Sequence, residues 1–280
     1  MGLPAMSAHS YVEIMKLADK MKRELCGYCG SETPGATKIW ICSNCESPVY
    51  AGFIGQVKMN KTHMEALEQV NGFISSGDYA KAVEEYEKLA NANGDPALLY
   101  RLGLLCFSYS NNEIKQIRYD RKGFMEENAR HRSLSHAMYS KGGLLLNRAA
   151  VSLEAEFKKN AMTPLIAFTL FMIYIKLDNM RSARRVLELI ERRGDEYLSA
   201  YGKMVFDSQI GDYSGSVHNA NELLKPDNFS INAFYYIALA LFMNRKYKEA
   251  AELLDSLGKR VRNNSVDALL SEVRKAIGLI

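Results

Sequence analysis

The chain has 280 residues, a formal net charge of +4, 48% apolar and 24% charged residues. This is the composition of an ordinary folded protein; it excludes a disordered or fibrous chain and leaves room for a small module beside a large one, or for a repeat array. The charge does not demand wholesale attraction to nucleic acid, and four metal-bound thiolates would lower it by about two units.

Residues 1–10 lack the charged stretch and apolar core of a secretory leader. The longest apolar runs, residues 165–175 and 233–243, fall short of the roughly 20 residues that span a bilayer. A cytoplasmic protein with no membrane partner is expected.

The first element predicted is an amphipathic helix over Tyr11–Leu25, within a leading segment of residues 1–25. Ser10 and Glu13 have the spacing of a capping box, and Tyr11, Ile14, Met15, Ala18, Met21 and Leu25 recur at helical period.

Cys26, Cys29, Cys42 and Cys45 follow, spaced C-x2-C-x12-C-x2-C. Each C-x-x-C can turn two sulfurs toward one ion, and two such knuckles complete a tetrahedron. A zinc ribbon over residues 26–60, holding one zinc ion per chain, is the reading; iron in place of zinc and two disulfides among the four are the alternatives. Strands are predicted at Lys38–Ile41 and Val49–Val57, the second interrupted by Gly52 and Gly55, and Pro48 argues against a helix at the second knuckle. A closed four-thiolate site has no position for substrate, so its expected role is structural. Cys106 lies alone in an apolar run and reads as a buried thiol.

Residues 61–280 read as helical and self-similar. Leu177 to Ala183, Ile210 to Ser216 and Asn244 to Ala250 superimpose, their closing small residues Ala183, Ser216 and Ala250 standing 33 and 34 residues apart. A further copy, Ser76-Gly77-Asp78-Tyr79-Ala80-Lys81-Ala82, ends 101 residues before Ala183, three such periods away.

With Tyr86 four residues past Ala82 and Asp95-Pro96 opening the next helix, this stretch resembles the tetratricopeptide repeat family. The resemblance implies a mainly α protein, an α-solenoid of helical hairpins carrying a small N-terminal β zinc ribbon. It also implies six repeats over residues 62–262, two of them degenerate between 97 and 162, and a capping helix from Ser265. The cysteine spacing is similar too to the rubredoxin-like module of rubrerythrins, which is what keeps iron in view.

No pair of histidines at metalloprotease spacing, nucleophile elbow or phosphate loop occurs, so no enzyme activity is expected. In the register of the resembled repeats, first helices line a concave face. That places Leu165, Phe168, Met172, Tyr201, Tyr235, Leu239 and Phe242 in an apolar groove for a protein partner, an amphipathic helix, or the chain's own N-terminal segment. Nucleic acid is the alternative partner, held on the ribbon by Tyr28, Lys38, Trp40, Tyr50, Phe53 and Lys58. The arginines near 181–193 read as a solvated outer face.

Overall fold

The computed structural model describes residues 6–21, 23–26, 28–29, 31–34, 39–45, 47–50, 53–54, 57–58, 61–117, 125–159, 164–225, 229–261 and 263–278. The N-terminal part comprises α1 (Ala8–Met15), a 3-10 helix (Lys16–Lys20), β1 (Arg23–Leu25), β2 (Glu32–Pro34), β3 (Ile39–Ile41), β4 (Pro48–Tyr50), β5 (Phe53–Ile54) and β6 (Val57–Lys58). Helices follow: α2 (Lys61–Ser75), α3 (Tyr79–Asn93), α4 (Pro96–Lys115), α5 (Met125–Lys159), α6 (Pro164–Lys176) and α7 (Met180–Arg192). The last five are α8 (Glu196–Gln209), α9 (Tyr213–Glu222), α10 (Ala233–Met243), α11 (Tyr247–Gly258) and α12 (Asn264–Ala276). Two compact units result, one of residues 1–26, 31–53 and 163–280, the other of residues 27–30 and 54–162.

In the first unit the leading helix is shorter and earlier than the sequence suggests. Ser7, not Ser10, caps α1 by accepting from the Ser10 amide, and Glu13 pairs with Lys16 instead of reaching back to the cap. The chain leaves the helix because Arg23–Leu25 is taken into an antiparallel pair with Glu32–Pro34. What survives is the stripe: Tyr11, Met15 and Ala18 are all buried, and α1 lies on α11. Arg260 grips Asp19 with two guanidinium nitrogens at 3.0 and 2.8 Å, and Tyr11 Oη donates to Asn221 at 3.3 Å.

The hairpins α6/α7, α8/α9 and α10/α11, closed by α12, make up the rest of this unit. Each hairpin turns through a residue with positive φ, Asp178, Gly211 and Arg245 at 56°, 82° and 61°, and Gly77 at 79° does the same between α2 and α3 of the second unit. At all four turns the following amide bonds back five residues, 2.9 Å from Asp78 to Phe73 and 2.9 Å from Asn179 to Tyr174, then 2.8 Å from Asp212 to Asp207 and 2.9 Å from Lys246 to Leu241. That is the left-handed helix stop. Asp78, Asn179 and Asp212 then cap the next helix. The small residues Ala82, Ala183, Ser216 and Ala250 are fully enclosed, as close helix pairing requires.

Helix α6 is apolar almost all round and is enclosed by α7, α8 and β4, whereas α7 buries only Ala183, Val186, Leu187 and Ile190 and turns its arginines outward. A Cβ at Gly202 would lie 2.6 Å from the Leu187 Cδ1 methyl, so the glycine leaves room for that side chain.

The second unit departs from the expected repeats. Between residues 97 and 162 stands one oversized hairpin, α4 of 20 and α5 of 35 residues, in place of two degenerate repeats. This segment lacks the Gly-Asp-Tyr stop, so nothing breaks α5. Gly103 and Gly142 let the two helices touch, since a Cβ on Gly142 would stand 2.6 Å from the Phe107 ring and 2.9 Å from the Gly103 carbonyl. Toward the far end lies a polar layer in which Ser110 meets Ser135 at 2.9 Å and His131 Nδ1 meets Glu113 at 2.6 Å. Five hairpins and a closing helix are thus formed among the described residues, against six expected repeats. None of these helices is long and apolar enough to cross a membrane.

Candidate metal centre

Two short antiparallel hairpins carry the cysteines. In the first, Arg23, Glu24 and Leu25 face Pro34, Thr33 and Glu32; in the second, Ile39, Trp40 and Ile41 face Tyr50, Val49 and Pro48. The expected strand over Val49–Val57, with its glycine interruptions, takes the form of three short strands, β4, β5 and β6, in the sheet order β3-β4-β5-β6. Each cysteine pair sits at a hairpin end and is closed by the same bond, from the Cys26 amide to Ser31 O and from the Cys42 amide to Ser47 O, both 3.0 Å. The two occurrences of C-x-x-C-x-S thus share one closing bond. The Asn44 amide also points at Cys42 Sγ, 3.4 Å away.

All four cysteines are buried, and their sulfurs lie within 4.8 Å of one another. Cys26 Sγ and Cys45 Sγ, one from each pair, are 3.7 Å apart, and none of the five cysteines is in a disulfide. A tetrahedron with metal–sulfur bonds of about 2.3 Å has edges of about 3.8 Å. The residues fit a four-thiolate ion of the zinc or iron type. Cys106 stands apart, its thiol pushed by burial up to about 11, which leaves it unreactive at neutral pH.

The knuckle backbone is held by side chains from the helices. In the second unit, Tyr86 Oη donates to Tyr28 O at 2.5 Å and Asn71 Nδ2 to Cys29 O at 2.7 Å. In the first, three consecutive residues are held in turn: the Ile41 amide donates to Tyr197 Oη at 3.2 Å, Asn232 Nδ2 donates to Cys42 O at 3.3 Å, and Asn263 Nδ2 donates to Ser43 O at 2.6 Å. Tyr197, Asn232 and Asn263 stand at the starts of α8, α10 and α12. Those are the positive ends of the helix dipoles, a setting that suits an anionic thiolate centre. Burial raises the Tyr197 phenol above its ordinary value, so it remains a neutral hydrogen-bonding group.

Sequence reading singled out the four cysteines and missed these five supports. Asn263 doubles as the cap of α12, accepting from the Ser265 amide at 2.8 Å, and its sequence context announces only that second task. Asn232 precedes α10 as a cap would, yet it makes no cap bond; its amide serves Cys42 O and Tyr201 Oη instead.

The predicted groove is corrected in part. Leu165, Phe168, Met172 and Tyr201 are buried, with Phe168 and Tyr201 in edge contact at 5.6 Å, so these four are core and not an open contact surface. The cause is the packing of α6 against α7, α8 and β4 from the chain's own N-terminal part. Tyr235, Leu239 and Phe242 on α10 are half-buried, and Met243 beside them is 49% exposed. Of the residues proposed to hold nucleic acid, Tyr28 is buried; Lys38 and the side chains of Trp40, Tyr50, Phe53 and Lys58 lie outside the described residues.

No family model and no curated relative matches this chain. Among solved structures it is similar to a tetratricopeptide repeat protein from Parabacteroides merdae, with 16% identity over 78% of this chain and 88% of that one, at a TM-score of 0.40.

Proposed function

We propose that the chain is a non-catalytic scaffold of tetratricopeptide-like hairpins whose N-terminal zinc ribbon is a structural clamp. The half-open surface of α10 is its site for a protein partner. The reading is carried by one observation: the knuckle at Cys42 and Cys45 is anchored through three consecutive residues to the starts of α8, α10 and α12. Such anchoring suits a module built to hold structure, because every ligand is enclosed and no coordination position is left for a substrate.

Tyr235, Leu239 and Phe242 offer the contact surface, in the manner of an apolar groove receiving one face of an amphipathic helix. Aromatic anchors supply most of the energy of such contacts, so each true contact cut to alanine costs on the order of 2 kcal/mol. The test is co-purification from nuclease-treated native lysate with the full chain and with Tyr235→Ala and Phe242→Ala forms. The reading expects a stoichiometric protein partner with the parent that both variants lose. A partner retained equally by both would place the interface elsewhere. The ribbon-based nucleic-acid alternative has less support, since Tyr28 is enclosed.

A further inference from the structure

Helix α7 presents an arginine line that the scaffold reading does not use. Its four basic residues, Arg181, Arg184, Arg185 and Arg192, are all arginine and all exposed. At 100° per residue, Arg181, Arg185 and Arg192 fall within about 40° of one another, along roughly 16 Å of helix. Arg184 is 3.7 Å from Glu188, the one acid in this line, and Glu191 is taken by Lys203 at 3.5 Å. Arg181, Arg185 and Arg192 have no ion-pair partner among the described residues.

Helix stability accounts for Arg192, a cation in the last turn, and not for the rest of this line. Arg181 stands in the first turn, which holds no acidic residue, and there the helix dipole opposes a cation. Ala183, Val186, Leu187 and Ile190 are turned inward and buried, Met180 and Leu189 are half-buried, and every exposed residue of α7 is charged. A protein interface needs an apolar core, and a membrane-lying helix needs an exposed apolar face. Neither is present on this helix.

We propose that the outer face of α7 binds the phosphodiester backbone of nucleic acid, without regard to sequence. Guanidinium groups match phosphate oxygens two bonds at a time. A line of about 16 Å is long enough to reach several phosphates of a nucleic-acid backbone. No base-reading element accompanies the arginines, so the contact positions the protein and does not select a sequence.

The test is fluorescence anisotropy of the full, metal-loaded chain, freed of nucleic acid at high salt, with a fluorescein-labelled 20-base-pair duplex at 50 to 200 mM salt. Binding is expected to weaken steeply with salt. The Arg181→Gln, Arg185→Gln, Arg192→Gln form is expected to bind at least tenfold less tightly at 50 mM. Its log affinity against log salt should be shallower by about 3, one for each phosphate no longer neutralised. The Arg181→Lys, Arg185→Lys, Arg192→Lys form, which keeps the charges, should retain most of the slope. Circular dichroism melting is the control: the glutamine form should melt close to the parent, since the loss of Arg192 from the last turn is offset by removing Arg181, which opposes the helix dipole in the first. The proposal is overturned if the parent does not bind at 50 mM, or if the folded glutamine form binds with the same affinity and slope. It is also overturned if polyglutamate or anionic phosphatidylserine vesicles bind while the duplex does not.

Discussion

Asn232 concentrates the account at one side chain. It is 8% exposed, and its amide serves Cys42 O and Tyr201 Oη. Removing it leaves a buried carbonyl without its donor, a loss of about 1–3 kcal/mol. Asn232→Ala should therefore lower the melting temperature and speed transfer of the metal to a competing chelator. An unchanged chelation rate would mean that the anchor is irrelevant to the centre. The four cysteines were legible because ligand chemistry fixes both residue type and spacing. Asn71, Tyr86, Tyr197, Asn232 and Asn263 were not, because any buried donor or acceptor at the right place can hold a backbone group, and those places exist only in the folded chain.

Among the elements, the hairpins with a Gly-Asp-Tyr or related stop were readable, since the left-handed turn and the cap that follows are local requirements. The α4/α5 hairpin was not, because its close pairing rests on Gly103 meeting Gly142 across two helices, a contact with no sequence period. Helix α1 lies between these cases: its buried stripe was visible, while its end was decided by the pairing of β1 with β2. Its docking has a pH signature. The Arg260 guanidinium beside Asp19 holds that carboxyl below its ordinary value through a hydrogen bond and its charge. A carboxyl lowered in the folded state contributes stability above its unfolded value of 3.8, and that contribution is lost as pH falls through the lower folded value. Asp19 is half exposed, so the effect is screened and small. Urea melts at pH 7 and pH 3 should show a smaller stability loss on acidification for Asp19→Asn than for the parent; identical losses would remove the Arg260 pair from the account.

For the whole molecule, the N-terminal part is integral to the helical unit that contains α6 to α12. Phe168, Met172 and Tyr201 belong to a core to which β4 contributes cover. Removing residues 1–60 should leave a helical protein that self-associates, because apolar area on the first helices is uncovered. Light scattering of that truncated chain checks this, and a monomer as stable and soluble as the parent would contradict it.

The central claim, that Cys26, Cys29, Cys42 and Cys45 hold one structural zinc ion, is tested most directly by elemental analysis of the full chain purified without added metal, beside its Cys42→Ser form. The account expects a colourless protein with one zinc per chain, and a Cys42→Ser form that loses the metal while keeping most of its helical circular dichroism. A red protein with stoichiometric iron, or a folded parent with no metal and four freely titrating thiols, would contradict it.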